Sequence, residues 1–409
     1  MPINSAICGA PTIIIADPNN PTVKNNLNDI LYIFITALTI ALACFVKNSR
    51  CVQTVPTTGY KRAGITRRQG QNALCLFAVF TVLFLLSALR LEVGNDYGTY
   101  VDTIHEIYVG GYVVTEPLFN AVSKLLCELS GGENYLLVFG FFGFITIWLF
   151  LKILYEQTED FAMAFFLFMT LGLYFRTFNT VRYYLALAAA LYSYRYVLKK
   201  EYVKFVLLIA VTALFHKSVL VVIPLYLIAN YTWKKWQIVI MGMGAVGLVI
   251  FQDLVMKIAL ELYPSYKNTI YLENGEGILG NMLSIGRCVA VLMLAIICYK
   301  EAVEDNKVNQ FYFKLNLMSI VLYICASFLP LVGRIVYYLM SSHILFIPSI
   351  LGQIKNEKKK KALQILIVTV GVFYFLLFLK TATQEGVRVL PYKSWLFYEK
   401  EFLNAGEIF

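Results

Sequence analysis

Six arginines sit inside or at the rim of apolar runs: Arg90, Arg176, Arg182, Arg287, Arg334 and Arg388. Lys217 joins them, next to His216 in the stretch "TALFHKSVLVVIPLY". An arginine at the centre of a bilayer costs about 2.5–3.5 kcal/mol on insertion scales, so intramembrane charges face a cavity or a partner. Snorkelling from a helix end is the plainer alternative. It accounts easily for Arg90 and Arg388, and less well for Arg287 and Arg334, which have apolar sequence on both sides. Arginine's rigid fork suits phosphate oxygens bidentately. The set therefore points to an outward-facing cavity that holds a multiply anionic ligand at the headgroup level. Three groups qualify for proton transfer. His216 is the natural candidate because histidine is the usual side chain for proton transfer at physiological pH, although a hydrogen-bonded structural histidine at a turn is an equal alternative. Asp96 and Glu116 are carboxylates that serve either as bases or as partners for the arginines. Tyr97 and Tyr100 supply rings that stack on sugars or belong to an interfacial aromatic belt. Three histidines and eight cysteines show no metal-ligand spacing, so neither a metal nor another cofactor is expected.

The elements that position these groups are those of a membrane protein. Of 409 residues, 59% are hydrophobic and only 15% charged, which leaves too little polar surface for a soluble domain of this size. Twelve apolar segments are expected as membrane helices: 27–46, 73–91, 135–153, 161–175, 180–198, 203–215, 219–232, 237–252, 282–299, 315–331, 335–352 and 363–379. Several are short for a hydrocarbon core of about 30 Å, and are expected to be tilted, broken or re-entrant. The pair 203–215 and 219–232 could form one hairpin that dips only partly in.

Charge sets the orientation. The connection "KNSRCVQTVPTTGYKRAGITRR" has six basic residues and no acid, so it is cytoplasmic. Alternating from there puts the other basic connections, "KNEKKKK" included, on the same side. The 92–134 connection, with seven acids and one lysine, falls outside. Both termini are then external. The expected organisation is an outer segment 1–26, one transmembrane domain 27–379 with outer loops 92–134 and 253–281, and an outer tail 380–409. The stretch 114–129 is amphipathic and suited to lie along the outer surface. The start lacks the basic region of a signal peptide. A net charge of +10 invites a nucleic-acid reading, but most of the lysines and arginines fall in short connections between apolar segments, which argues against one.

Four stretches carry a resemblance: "LRLEVGNDYGTY" (89–100), "TEPLF" (115–119), the long run 179–226 that opens "NTVRYYLALAAALYSYRYV" and contains "FHKS", and "LPYK" (390–393). In order and spacing they resemble the EpsG family of Wzy-like membrane proteins, associated with polymerising exopolysaccharide, capsule or O-antigen repeat units. Where that family often has glutamine after the arginine of the 182 motif, this chain has Tyr183. The resemblance implies a metal-independent membrane glycosyltransferase of GT-C-like architecture in the cytoplasmic (inner) membrane, its site facing the periplasm or cell exterior. Donor and acceptor would be undecaprenyl-diphosphate-linked glycans, and a flippase and a chain-length regulator would be partners. In such a site Arg182, Arg287 and Arg334 would bind diphosphate, and Arg90 would order the Asp96 loop. His216, Asp96 or Glu116 would be the base.

Three rivals stand beside this reading. A ligase moving finished polymer to another acceptor would use the same arginines and cavity. A flippase of lipid-linked glycan should show charges on a path to both faces and an internal repeat, and no repeat is evident. A membrane acyltransferase would need its histidine on a route from the inside, whereas His216 falls outside.

Overall fold

The computed structural model describes residues 21–47, 66–251, 278–326, 330–384 and 387–397, with isolated positions between 253 and 261. Helix accounts for 79% of it, and the described residues include no strand, as the all-α expectation requires. The helices are α1 (Pro21–Cys44), α2 (Arg67–Ala88), α3 (Tyr97–Val109), α4 (Pro117–Leu129), α5 (Tyr135–Gln157) and α6 (Phe161–Thr170). Then come α7 (Leu173–Arg176), α8 (Val181–Leu198), α9 (Tyr202–Ala213), α10 (Val222–Asn230) and α11 (Lys235–Ile250). The chain continues with α12 (Ile278–Ile297), α13 (Lys307–Ala326), α14 (Pro330–Met340), α15 (His343–Gln353) and α16 (Glu357–Thr381).

Every expected segment overlies helix, but the lengths differ among them. Among the described residues four spans are long and apolar enough to cross a membrane: α2, α5, the α14–α15 stretch from Val332, and α16. Parts of α1, α6, α9, α10 with its leading turn, and α12 are apolar but shorter. At 12 residues, α9 extends about 18 Å. It therefore cannot cross the hydrocarbon core alone. The segment expected at 335–352 is broken between α14 and α15, at Ser341 and Ser342. Local sequence explains the helix starts. Thr66 and Gln69 form a reciprocal capping box on α2, while Asn134, Asp160 and Asn356 cap α5, α6 and α16 with side-chain oxygens.

Helices α6, α8 and α15 are largely enclosed by the rest. In α6 every residue except Ala162 is buried, and α8 hides most of its length, including the run Tyr183–Leu191. Around them α1, α2 and α16 turn apolar side chains such as Phe34, Phe77 and Phe373 outward, the lipid-facing pattern of a membrane protein. The 92–134 connection is not a loose loop. It folds into α3 and α4, which pack with α5 and the start of α8 into a second core containing Tyr97, Tyr100, Phe119, Phe139 and Val181. The stripe Phe119, Ser123, Cys127 is the buried face of the amphipathic α4.

The expected tail folds back onto the start of that connection. Leu91 donates its N–H to Lys393 O at 2.9 Å, and Trp395 to Leu89 O at 3.0 Å, forming one antiparallel bridge between Arg90 and Ser394. The outer segment 1–26 lies outside the described residues as far as residue 20, as do most of the 253–281 loop and residues 398–409.

Candidate functional site

Glu116 precedes a proline, which holds it extended (φ −70°, ψ 147°) and makes Pro117 the first residue of α4. In that conformation its carboxylate does not cap its own helix. It turns instead toward α8 and the turn after α9. Oε2 accepts a short hydrogen bond from Arg182 Nη1. Oε1 accepts the Lys217 N–H at 3.0 Å and lies 3.5 Å from His216 Nδ1. Leu118 N–H on Leu214 O, at 3.0 Å, fixes the start of α4 against the same turn. The cluster is largely sheltered: the Glu116, His216 and Arg182 side chains are 10%, 12% and 18% exposed. Burial alone would raise the Glu116 carboxyl. The His216 ring, the Lys217 amide and the Arg182 charge outweigh it and hold the group down at about 2. Glu116 is thus a fixed anion and a weak proton acceptor.

Arg182 is held on two further sides. Its N–H and Nε point at the Tyr100 hydroxyl at 3.3 and 3.4 Å, and its guanidinium lies over the Phe119 ring at 5.2 Å. Its Nη2 has no hydrogen bond to another described residue. Both ring nitrogens of His216 are buried without a hydrogen-bond partner among the described residues. Tyr183 meets the His216 ring edge to face at 5.6 Å, stacks at a tilt on Tyr338, and donates its hydroxyl to Arg334 O at 2.6 Å. Ser218 and Tyr338 join their hydroxyls at 3.0 Å. These contacts tie the Glu116 cluster to α14.

Beyond that tie lie the other arginines. Arg176, at the end of α7, is over Tyr337 at 5.6 Å and Phe378 at 5.7 Å. Arg287, on α12, is over Tyr374 at 5.6 Å with Tyr337 also in electrostatic reach, and its Nε has no hydrogen-bond partner among the described residues. Arg176 and Arg287 therefore approach Tyr337 from α7 and α12. The side chains of Arg334, Lys217 and Arg388 are exposed.

The remaining expected residues take other places. Arg90 is 2% exposed, with Nη1 on Ser87 Oγ at 3.1 Å and its guanidinium over Phe139 and Phe178 at 4.9 and 5.3 Å. Tyr97 is buried on Phe139 with ring centroids 4.7 Å apart, and Tyr100 is buried under Arg182. Asp96 accepts the Thr180 hydroxyl at 2.6 Å. Its loop is pinned by Gly94 N–H on Arg388 O and Asn95 N–H on Asn179 Oδ1, at 2.8 and 3.2 Å.

Sequence reasoning did not single out Tyr183's tie to Arg334, Tyr337, Tyr338 or Tyr374. The one available signal was the spacing 334, 337, 338, which puts all three on one face of a helix. A buried pair on α15 and α13, His343 Nε2 on Asn316 Oδ1 at 2.7 Å, was also not anticipated. The described residues hold no group of His, Cys, Asp or Glu side chains fit for a metal ion.

No curated protein and no solved structure matches the chain. A family model does, over residues 73–394, which takes in most of α2, α3 through α16 and the returning tail as far as Ser394, together with Arg182, Glu116, His216 and every other arginine of the candidate site. The chain belongs to the EpsG family, the family of Wzy-like polysaccharide polymerases.

Proposed function

We propose that the protein polymerises undecaprenyl-diphosphate-linked oligosaccharide repeat units at the outer face of the cytoplasmic membrane, transferring the growing glycan to a new lipid-linked unit. The observation that carries this reading is the convergence on Glu116. One oxygen holds a cation suited to phosphate, and the other faces a histidine with no other polar partner.

The chemistry divides among the residues as follows. The acceptor hydroxyl oxygen bonds to the donor's anomeric carbon as the bond from that carbon to the lipid diphosphate breaks. The electron pair leaves with the diphosphate. Arg182 Nη2, Arg176, Arg287, Arg334 and Lys217 bind that group and stabilise the growing charge, so no metal is called for. The hydroxyl proton passes to His216 Nε2. The Nδ1 side then carries the imidazolium charge toward Glu116, which stays ionised because its carboxyl is held at about 2. Glu116 orients and stabilises, His216 accepts the proton, and Asp96 keeps the loop before α3 in place through Thr180. Arg388 lines the rim, while Arg90, Tyr97 and Tyr100 support the walls from behind. Twelve crossings with both termini outside, a GT-C-like arrangement, and a flippase and chain-length regulator as partners complete the proposal.

The test is reconstitution in liposomes with a lipid-linked repeat unit and no nucleotide sugar. A ladder of longer lipid-linked glycans that is lost in Arg182→Ala and His216→Gln supports the reading. Glycan that crosses the bilayer unextended would replace it with transport.

A further inference from the structure

At the end of the molecule opposite in charge character to the acidic 92–134 connection, α1, α2, the α5–α6 turn, α15 and α16 surround a cleft of about 590 Å³. Three cations from three helices line it: Lys47 after α1, Arg68 on α2 and Lys360 on α16. Its apolar lining includes Val46, Phe161 and Leu351.

The convergence is built and not incidental. Asn72 is buried on α2 and clamps the Lys47 backbone in both directions, accepting its N–H at 3.1 Å and donating to its carbonyl at 2.6 Å. Arg68 is one helical turn before Asn72, so it leaves the same face of α2 beside Lys47. On α16, Asn356 caps the amides of Lys358 and Lys359, which sets the register of the lysine run. Within that run Lys359 is spent on Glu301 at 2.6 Å, whereas Lys360 faces the cleft. Among the described residues, Lys47, Arg68 and Lys360 have no carboxylate partner.

Two acids, Glu159 and Asp160, also line the cleft, so three cations face two carboxylates there. Asp160 accepts the Met163 N–H at 3.0 Å as the cap of α6. Glu159 lies along Gly352, where a Cβ would meet its Oε2 at 2.6 Å. A general excess of cytoplasmic cations needs neither the Asn72 clamp nor cations of three helices around one hollow. A mixed cationic and apolar cleft between helices at this level has the chemistry of an anionic headgroup site.

We infer that this cleft holds the phosphate headgroup of an anionic phospholipid on the cytoplasmic side. Its volume admits a headgroup, and the acyl chains continue along the apolar outer faces of the helices that lead away from it, where Phe34 of α1 and Phe373 of α16 are exposed. Bound there, the lipid bridges α1, α2 and α16, whose ends otherwise meet as like charges.

The test compares the full-length wild type, the triple variant K47Q/R68Q/K360Q, and a control, K355Q/K358Q/K361Q, that removes equal charge from exposed neighbouring positions. Each is placed in phosphatidylcholine nanodiscs with a minor fraction of phosphatidylglycerol, and retained anionic lipid is counted by native mass spectrometry. At roughly one surface-charge contribution per cation, retention in the triple variant should weaken about a hundredfold, with the control near wild type. A melting curve in pure phosphatidylcholine checks that the triple variant is folded. Should it be unfolded, the single variant Lys360→Gln takes its place, with a weakening of roughly fivefold. Equal loss in the control, or none in the cleft variant, would overturn the site. Inorganic phosphate stabilising the protein in phosphatidylcholine as well as phosphatidylglycerol does would overturn the lipid as its source.

Discussion

Tyr183 donates its hydroxyl to the backbone carbonyl of Arg334 at 2.6 Å, across 151 residues of sequence. The bond ties the first turn of α8, which carries Arg182, to α14, which carries Arg334 and Tyr337. Tyr183 also touches the His216 ring, so one side chain sets the separation between the proposed proton acceptor and the proposed anion cradle. Removing only the hydroxyl, in Tyr183→Phe, should keep the ring contacts and release α14. A net hydrogen bond of about 0.5–1.5 kcal/mol corresponds to a loss of roughly tenfold or less. We expect it chiefly in KM for the lipid-linked substrate, read from ladder kinetics in liposomes.

Arg182→Lys should not rescue Arg182→Ala. Arginine here engages Glu116 through Nη1 and Tyr100 through Nε at once, and a single ammonium cannot reproduce that fork. Chain extension should fall by about a hundredfold or more in both variants. Ladder formation at equal protein levels measures it, and a lysine variant within a few-fold of wild type would show that charge alone suffices.

The Glu116 carboxyl ionises well below its ordinary value, so its contribution to stability is present above about 4.5 and is lost as pH falls toward 2. Glu116→Gln should therefore melt below wild type at pH 6, by the equivalent of about 1.5–3 kcal/mol. The gap between the two should narrow at pH 3. Melting of both proteins in the same detergent at the two pH values is the measurement, and a constant gap would contradict it.

His216→Gln should reduce the rate of extension by about 10²–10⁴, with only a small loss of melting temperature, since what the ring nitrogens lose is the 3.5 Å contact of Nδ1 with Glu116 Oε1. Asp96→Asn keeps an acceptor for the Thr180 hydroxyl and should cost much less. If single-turnover rates with one donor and one acceptor unit put Asp96→Asn below His216→Gln, the roles are reversed.

Gly94 has φ +105°, and a Cβ there would come within 2.2 Å of the Phe178 carbonyl oxygen. Gly94→Ala should destabilise by at least about 1–3 kcal/mol, from backbone strain before any clash is relieved. Gly98→Ala is the matching control, since nothing stands within 4 Å of its added methyl. Paired melting curves decide it.

The helices were legible because long apolar runs leave few other readings, and the caps at Thr66, Asp160 and Asn356 mark three of their starts. The pairing of Glu116 with Arg182 was legible only as one of two roles for that carboxylate. Nothing local says which way a residue ahead of a proline will turn. Arg90 shows the limit most clearly. A rim position looks the same in sequence whether the side chain faces outward or inward. What buries Arg90 includes Phe139, Phe178 and a tail some 300 residues later. The Tyr337 platform was hidden by abundance, since it is one of 28 tyrosines and becomes distinct only when α7, α12 and α16 surround it.

The bridge between Arg90 and Ser394 bears on how this protein can be studied. Residues 389–395 are synthesised long after the first helices, yet Tyr32 donates to Val389 O and Leu91 to Lys393 O. The packing of the first helices is therefore complete only once a segment some 300 residues later has been made. Reporter fusions made by truncation, the usual way to map which side each connection occupies, would all lack that closing segment. Insertions into the intact chain would report on the finished molecule.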